Sequence, residues 1–195
     1  MAVPSPSPSD KNELRATMRA RRRAYAASLA PDTRTTLEQA LAEALDPLLF
    51  AATAVAAYFP MKDEVSALPA LERARAMGKA AALPHFADRD SRMTFRAGEP
   101  GEPGPWGILQ PSSEAMAISP DLLLIPLIAI DRAGNRIGMG KGHYDRALPG
   151  LRQAGARLIG VGWPFQLLDE ALTPDPWDVP LHGFASPDGL LEFER

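Results

Sequence analysis

The stretch "DLLLIPLIAID", Asp121 to Asp131, holds only leucine, isoleucine, alanine and one proline between its two aspartates. So apolar a run suits a strand covered on both faces, the place of a central strand in a parallel sheet. Pro126 has no N–H to give a neighbour, so a bulge or strand break is expected there. Shorter runs lie on either side. "TAVAAYF" (53–59) ends at Pro60 and reads as a buried strand, as do "KAAALP" (79–84) and "RLIGVGW" (157–163). "MTFRA" (93–97) alternates like a strand.

Helical patterns separate these runs. Ser9 or Asp10 can cap a helix reaching about Leu29, with Leu14, Met18, Tyr25 and Leu29 on one face. Lys11, Arg15, Arg19 and Arg22 form a basic stripe beside that face; it either leans into a cleft or stays solvated. "PDTRTTLEQALAEALDPLL" (31–49) reads as a second helix with Pro31 in its first turn. "MKDEVSALPALERARAMG" reads as a loop and a helix stopping at Gly78. "RALPGLRQAG" (146–155) is helical, with a kink or break expected at Pro149. Residues 98–111 and the C-terminal stretch are loop-rich, the latter with room for short strands. Strands alternating with helices imply an α/β fold: a single layered domain over 10–195, its central sheet mostly parallel.

The bulk numbers set limits. The 195 residues suffice for one domain with a substantial core. A net charge of -3 disfavours a broad nucleic-acid or acidic-membrane surface. Cysteine is absent, which excludes a disulfide and a thiol nucleophile and fits a cytoplasmic location. No apolar run approaches the roughly 20 residues that span a bilayer. The start, "MAVPSPSPSD", lacks a signal peptide's basic and apolar parts, and residues 1–9 read as a disordered Pro/Ser tail. His85 and His182 stand alone, without zinc spacing, and read as structural or surface residues. Trp163 and Trp177 fit either core or cleft.

The chemistry concentrates in "RIGMGKGHYDR", Arg136 to Arg146, which follows the central strand and the turn signal Gly134-Asn135. In open α/β sheets ligands bind at this end of the strands. Glycines at 138, 140 and 142 let successive backbone N–H groups turn inward around an anion. A following helix adds its positive dipole end, and Arg136 and Lys141 add full charges for phosphate oxygens. A tight glycine bend without a ligand uses the same residues. Neither familiar phosphate loop fits: Asn135 stands where a P-loop needs its first glycine, and His143 where the dinucleotide fingerprint needs its last. Asp145 suits a phosphate-bound Mg²⁺, or equally a carboxylate favouring the helix dipole.

Lys11–Arg15 (K-x-x-L-R), "YFPMKDEV", "WGILQP" and the glycine stretch together closely resemble 5-formyltetrahydrofolate cyclo-ligases, also called 5,10-methenyltetrahydrofolate synthetases. The likeness runs from about Lys11 to about Asp188, and R-[LI]-G-x-G-x-G-x-Y-D is its most specific part. It implies the NagB/RpiA/CoA-transferase-like fold. It implies conversion of 5-formyltetrahydrofolate and ATP to 5,10-methenyltetrahydrofolate, ADP and phosphate, with Mg²⁺ required. By the resemblance Lys11, Arg15 and Arg136, Ile137, Gly138, Met139, Gly140, Lys141, Gly142, His143 and Tyr144 bind ATP, with Arg136 and Lys141 catalytic. Met139 to His143 also approach the folate, together with Phe59, Glu64 and Trp106. Asp145 and Asp178 would hold the metal. Arg19, Arg21, Arg22 and Arg23 gain no role and are left as surface charge. Neither a nucleic-acid nor a membrane partner is expected, and a monomer is. Three departures stand out: His143 for a frequent tyrosine, Gln110 for a common glutamate, and Leu127 where the family often has glycine. They leave open a folate- or nucleotide-binding protein of the same fold without turnover.

Overall fold

The computed structural model describes residues 8–105 and 107–193. Most of the expected Pro/Ser tail, and Trp106, lie outside these residues. The helices are α1 (Pro8–Ser28), α2 (Pro31–Ala44), α3 (Asp46–Ala51), α4 (Leu68–Ala76) and α5 (His143–Gln153). The strands are β1 (Ala54–Ala56), β2 (Ala80–His85), β3 (Thr94–Arg96), β4 (Glu102–Pro103), β5 (Leu109–Gln110) and β6 (Leu122–Pro126). They continue as β7 (Ala129–Asp131), β8 (Arg136–Ile137), β9 (Arg157–Val161), β10 (Leu167–Leu168), β11 (Gly183–Ser186) and β12 (Gly189–Glu192).

Seven strands form the main sheet in the order β12-β11-β9-β6-β1-β2-β3. The five inner strands pair in parallel, and β12 and β3 close the edges antiparallel. The expected α/β class with a mostly parallel sheet is borne out. β6 is the middle strand, and its side chains alternate between two cores. Leu122 and Leu124 pack with Leu41, Leu45, Leu71 and Trp163 on one face. Leu123 and Ile125 pack with Phe95, Leu148 and Leu158 on the other. Burial on both faces is why this strand reads as an unbroken apolar run.

The run does not stay in one sheet. β6 ends at Pro126, and β7 joins a small sheet of order β10-β7-β8. At the break, the Leu127 carbonyl accepts from Gln166 Nε2 at 2.7 Å, and Ile128 N–H donates to the Ile137 carbonyl at 2.7 Å. Substitute partners therefore satisfy the buried backbone that the ladder drops. Leu127 sits where the sheet can receive it: a Cβ on Gly160 of β9 would lie 2.6 Å from Leu127 Cδ2. Gly160 makes room for the bulkier residue.

Other expectations need correction. The helix expected over 31–49 splits at Leu45, because Pro47 cannot continue the helical ladder. Pro149 does not break α5, which runs unbroken from His143 and so begins earlier than expected. Strand β1 is shorter than 53–59, ending at Ala56 before the backbone turns towards a site. The loop 98–111 contains a two-stranded ladder, β4 with β5. The largest correction is Arg22, expected at the surface but only 2% exposed. It follows Leu14 and Met18 at four-residue spacing, so it continues their inward face rather than the solvated flank. Among the described residues no helix is long and apolar enough to cross a membrane.

Candidate functional site

The sequence from β7 to α5 builds the site. Asp131 is buried, and its carboxylate accepts N–H groups from Ala133, Asn135 and Leu172 at 2.8–3.0 Å. One side chain thus fixes the turn before β8 and the segment beginning at Leu172. β8 then delivers Arg136, and the loop 138–142 leads into α5. Gly140 and Gly142 have φ of 79° and 70°, left-handed values that disfavour any side chain. Gly142 is the N-cap of α5, so the loop empties onto that helix's positive end. A Cβ on Gly138 would lie 2.6 Å from Arg136 Nη1, so the missing side chain gives the guanidinium its place.

Two unlike cavities meet over this loop. The polar one, about 200 Å³, is lined by Lys11, Arg15, Ile137, Asp175, Trp177 and Asp178 among others. The mainly apolar one, about 290 Å³, is lined by Phe59, Glu64, Met139, Lys141, His143 and Tyr144 among others. Arg136, Gly138, Gly140, Gly142 and Asp145 border both. Every site residue named from the sequence except Trp106, which is outside the described residues, therefore falls on one cavity or both.

In the polar cavity the charges are already matched. Arg15 Nε donates to the Gly138 carbonyl at 3.2 Å, which ties α1 to the loop. Lys11 pairs with Asp175 at 2.8 Å, and Arg136 pairs with Asp145. Asp178 Oδ2 accepts the Asp175 N–H at 2.7 Å. Among the described residues no group of three or more histidine or acidic side chains is arranged to cage a metal ion. Asp145 and Asp178 on one cavity fit the other arrangement, a Mg²⁺ that takes one or two carboxylates and draws its remaining ligands from phosphates and water.

The apolar cavity places charge more sparingly. Glu64 is 6% exposed; its Oε2 accepts the Met61 N–H at 2.9 Å and its Oε1 meets Arg22 Nη1 at 3.3 Å. Burial raises the Glu64 pKa, and the Arg22 charge works against that rise. Burial, with the Glu64 charge, also pushes the Tyr144 hydroxyl above its ordinary range, so it remains a neutral donor. His143 sits edge-on to Phe86, and burial with Arg146 and Lys141 lowers its pKa, favouring the neutral ring. Gln110 clasps the Phe86 backbone, accepting from its N–H and donating to its carbonyl at 3.1 Å each.

Sequence reasoning missed several lining residues. Trp177 is 65% exposed on the polar cavity, whereas Trp163 is fully buried in the core. Asp175 gave no motif signal, because its part is to hold Lys11. Phe86 and Met93 lie just after β2 and just before β3, and nothing in their local pattern marks a cavity wall. Arg22 could have been found: the i, i+4 series from Leu14 predicts an inward residue, and Asp63-Glu64 supplies the acids to receive it.

Fold and site together define an α/β domain with a polar, charge-lined cavity and an apolar cavity sharing one glycine loop. Residues 7–186 match the model of the 5-formyltetrahydrofolate cyclo-ligase family, and the chain belongs to that family. The 5-formyltetrahydrofolate cyclo-ligase of Mycolicibacterium smegmatis is 30% identical over 196 residues, covering 93% of this chain and 95% of that protein. The enzymes so named from Haemophilus influenzae and Escherichia coli are 38% and 37% identical over shorter spans, 39% and 37% of this chain. Those matched spans cover only 42% and 40% of the two relatives. Among solved structures, the 5,10-methenyltetrahydrofolate synthetase of Aquifex aeolicus superposes with a TM-score of 0.77 at 27% identity, over 95% of this chain and 93% of that one. The 5,10-methenyltetrahydrofolate synthetase of Mycoplasma pneumoniae gives 0.69 at 26% identity, over 91% and 99%. The family read from the motifs is borne out.

Proposed function

We propose that the protein converts 5-formyltetrahydrofolate to 5,10-methenyltetrahydrofolate at the expense of ATP. The observation that carries this reading is the single glycine loop bordering a polar, cation-lined cavity and an apolar one. A nucleotide polyphosphate suits the first cavity and a flat, mostly apolar pteridine the second. Their shared wall is where a phosphoryl group could pass between them.

The chemistry explains the need for two cavities. A formamide oxygen is a poor leaving group, so closing the ring by direct dehydration is slow. Transfer of the γ-phosphoryl to the formyl oxygen releases ADP and makes that oxygen a phosphate leaving group. N10 then attacks the formyl carbon and loses its proton, and phosphate departs. Phosphoryl transfer depends chiefly on positioning and on neutralising charge. Loop amides 138–142, Arg136 and Lys141 supply that neutralisation, with Arg15 and Lys11 steadying the polyphosphate from α1. Asp145 and Asp178 would hold Mg²⁺, which supplies Lewis-acid screening of phosphate charge when bound. Glu64 accepts hydrogen bonds from pterin N–H groups, and Phe59 offers a flat wall. The formyl oxygen is the nucleophile, so no serine or cysteine is required.

Purified protein given ATP, Mg²⁺ and 5-formyltetrahydrofolate should generate the near-ultraviolet absorbance of the methenyl product. Omitting any one reactant should abolish it. No product from folded protein over a range of pH would overturn the reading; tight binding of both ligands without ADP release would select a binding protein instead.

A further inference from the structure

Arg22 has no part in the chemistry just described, yet it is among the most buried side chains in the molecule. Its Nε donates to Asp63 Oδ2 at 2.9 Å, and its Nη1 reaches Glu64 Oε1 at 3.3 Å and the Leu127 carbonyl at 3.4 Å. A buried ion pair is often no more stabilising than well-packed apolar groups of the same volume. A cation retained beside a ligand cavity therefore asks for another explanation than stability.

The backbone around Glu64 is held by other residues. Arg34 donates to the carbonyls of Lys62 and Glu64 at 2.8 and 2.6 Å. Trp163 Nε1 donates to the Asp63 carbonyl at 3.1 Å, and the Tyr58 hydroxyl to the Val65 carbonyl at 2.5 Å. Four consecutive carbonyls are thus fixed without Arg22. In this loop Arg22 instead meets the two carboxylates. It takes one oxygen of Glu64 while the Met61 N–H takes the other. Each carboxylate oxygen retains accepting capacity for an N–H arriving from the cavity.

We propose that Arg22 is the positioning residue for Glu64: its guanidinium holds that carboxylate ionised and aimed into the apolar cavity, and so sets the affinity for the pterin. The inference rests on the functional reading above, in which Glu64 meets pterin N–H groups. The other groups around Glu64 do not replace Arg22. Asp63 on its own loop and Glu38 on α2 are acidic; Arg34 on α2 is spent on carbonyls and Glu38. Tyr58 and Tyr144 are neutral hydroxyls whose ionisation burial opposes. Arg136 pairs with Asp145. Without Arg22, the Met61 N–H would be left to oppose burial at Glu64, and the carboxyl would stay protonated to higher pH.

The test measures 5-formyltetrahydrofolate affinity across pH for wild type, Arg22→Met, Arg22→Lys, Glu64→Gln and the double variant Arg22→Met/Glu64→Gln. Arg22→Met should weaken folate binding at neutral pH by about 10- to 100-fold, the scale of a lost hydrogen bond to a charged group, and move its pH dependence to the alkaline side. Nucleotide affinity should stay within about threefold, since no cation of the polar cavity is touched. Arg22→Lys keeps a charge near Glu64 and should restore the pH dependence while losing part of the affinity. In the Glu64→Gln background, Arg22→Met should add less than about twofold. Should Arg22→Met alone not fold, Arg22→Lys measured with and without Glu64→Gln gives the same comparison. An Arg22 effect undiminished in the Glu64→Gln background, or an unmoved pH dependence, would overturn the assignment while leaving the functional reading intact. Wild-type protein that binds no folate would overturn both.

Discussion

Replacing Gly138 by alanine separates the loop's function from its fold. Gly138 does not have a positive φ, so alanine meets no backbone strain there. Its Cβ would stand 2.6 Å from Arg136 Nη1 and 3.8 Å from Cζ. Relief to an ordinary contact near 3.5 Å requires the guanidinium to move by about 1 Å. That side chain is 8% exposed and paired with Asp145, so the shift loosens a charge-assisted bond rather than a solvated one. Losing such a bond costs about 1.5–3 kcal/mol at the upper limit, and part of it returns as the side chain resettles. Turnover should suffer more than stability. A displaced donor to developing phosphate charge lowers kcat by about 10²-fold, or about 2.7 kcal/mol. The absorbance assay and a thermal melt together provide the readout. Gly140→Ala is the contrast: its Cβ meets nothing nearer than Arg15 Nε at 3.9 Å, but φ of 79° costs about 1–2 kcal/mol of backbone strain. Gly138→Ala with kcat within about threefold of wild type would refute the role given to Arg136.

Further outcomes follow from the same geometry. Asp145→Asn and Asp178→Asn should raise the Mg²⁺ concentration needed for turnover and lower kcat by at least about tenfold with a small change in Tm; turnover undiminished by EDTA would contradict a metal role. Gly160→Ala should destabilise the fold by about 1–3 kcal/mol through overpacking against Leu127, and by less in a Leu127→Ala background, checked by denaturant unfolding of both. Burial raises the pKa of Asp121, but the N–H groups of Ala54 and Thr53 outweigh it and hold the carboxyl below its ordinary value. A depressed folded pKa means stability present above the unfolded value and lost as pH falls through the folded one. Asp121 is exposed, so solvent screening keeps this below about 1 kcal/mol. The stability gap between wild type and Asp121→Ala should thus narrow from pH 7 to pH 3; a constant gap would contradict it.

Much of this architecture was legible because the sheet is buried on both faces. An element flanked by two cores must be apolar at every position, and 122–126 is. Pro126 announced the end of that strand, since a missing N–H cannot be hidden in a ladder. It could not announce that 129–131 would join a second sheet, because that depends on Ile137 and Gln166 arriving from elsewhere to take the freed backbone groups. The loop was legible from its glycines and charges, which need only local geometry. The apolar cavity was less so, because Phe86, Met93 and Ile108 are assembled from distant segments with ordinary core-like residues. Arg22 was misread because charge on a helix flank is usually solvated; only its spacing from Met18 and the acids at 63–64 distinguish it. Leu127 looked like a departure that endangered the site, and Gly160 across the sheet shows how it is accommodated.

A crystal structure with 5-formyltetrahydrofolate, Mg²⁺ and a non-hydrolysable ATP analogue would decide whether the glycine loop delivers phosphate from one cavity to the other. The terminal phosphate should rest against the amides of 138–142 beside Arg136 and Lys141, with the formyl oxygen facing it from the side of Phe59 and Glu64. A nucleotide bound away from the loop, or a formyl group pointing out of the apolar cavity, would contradict the account.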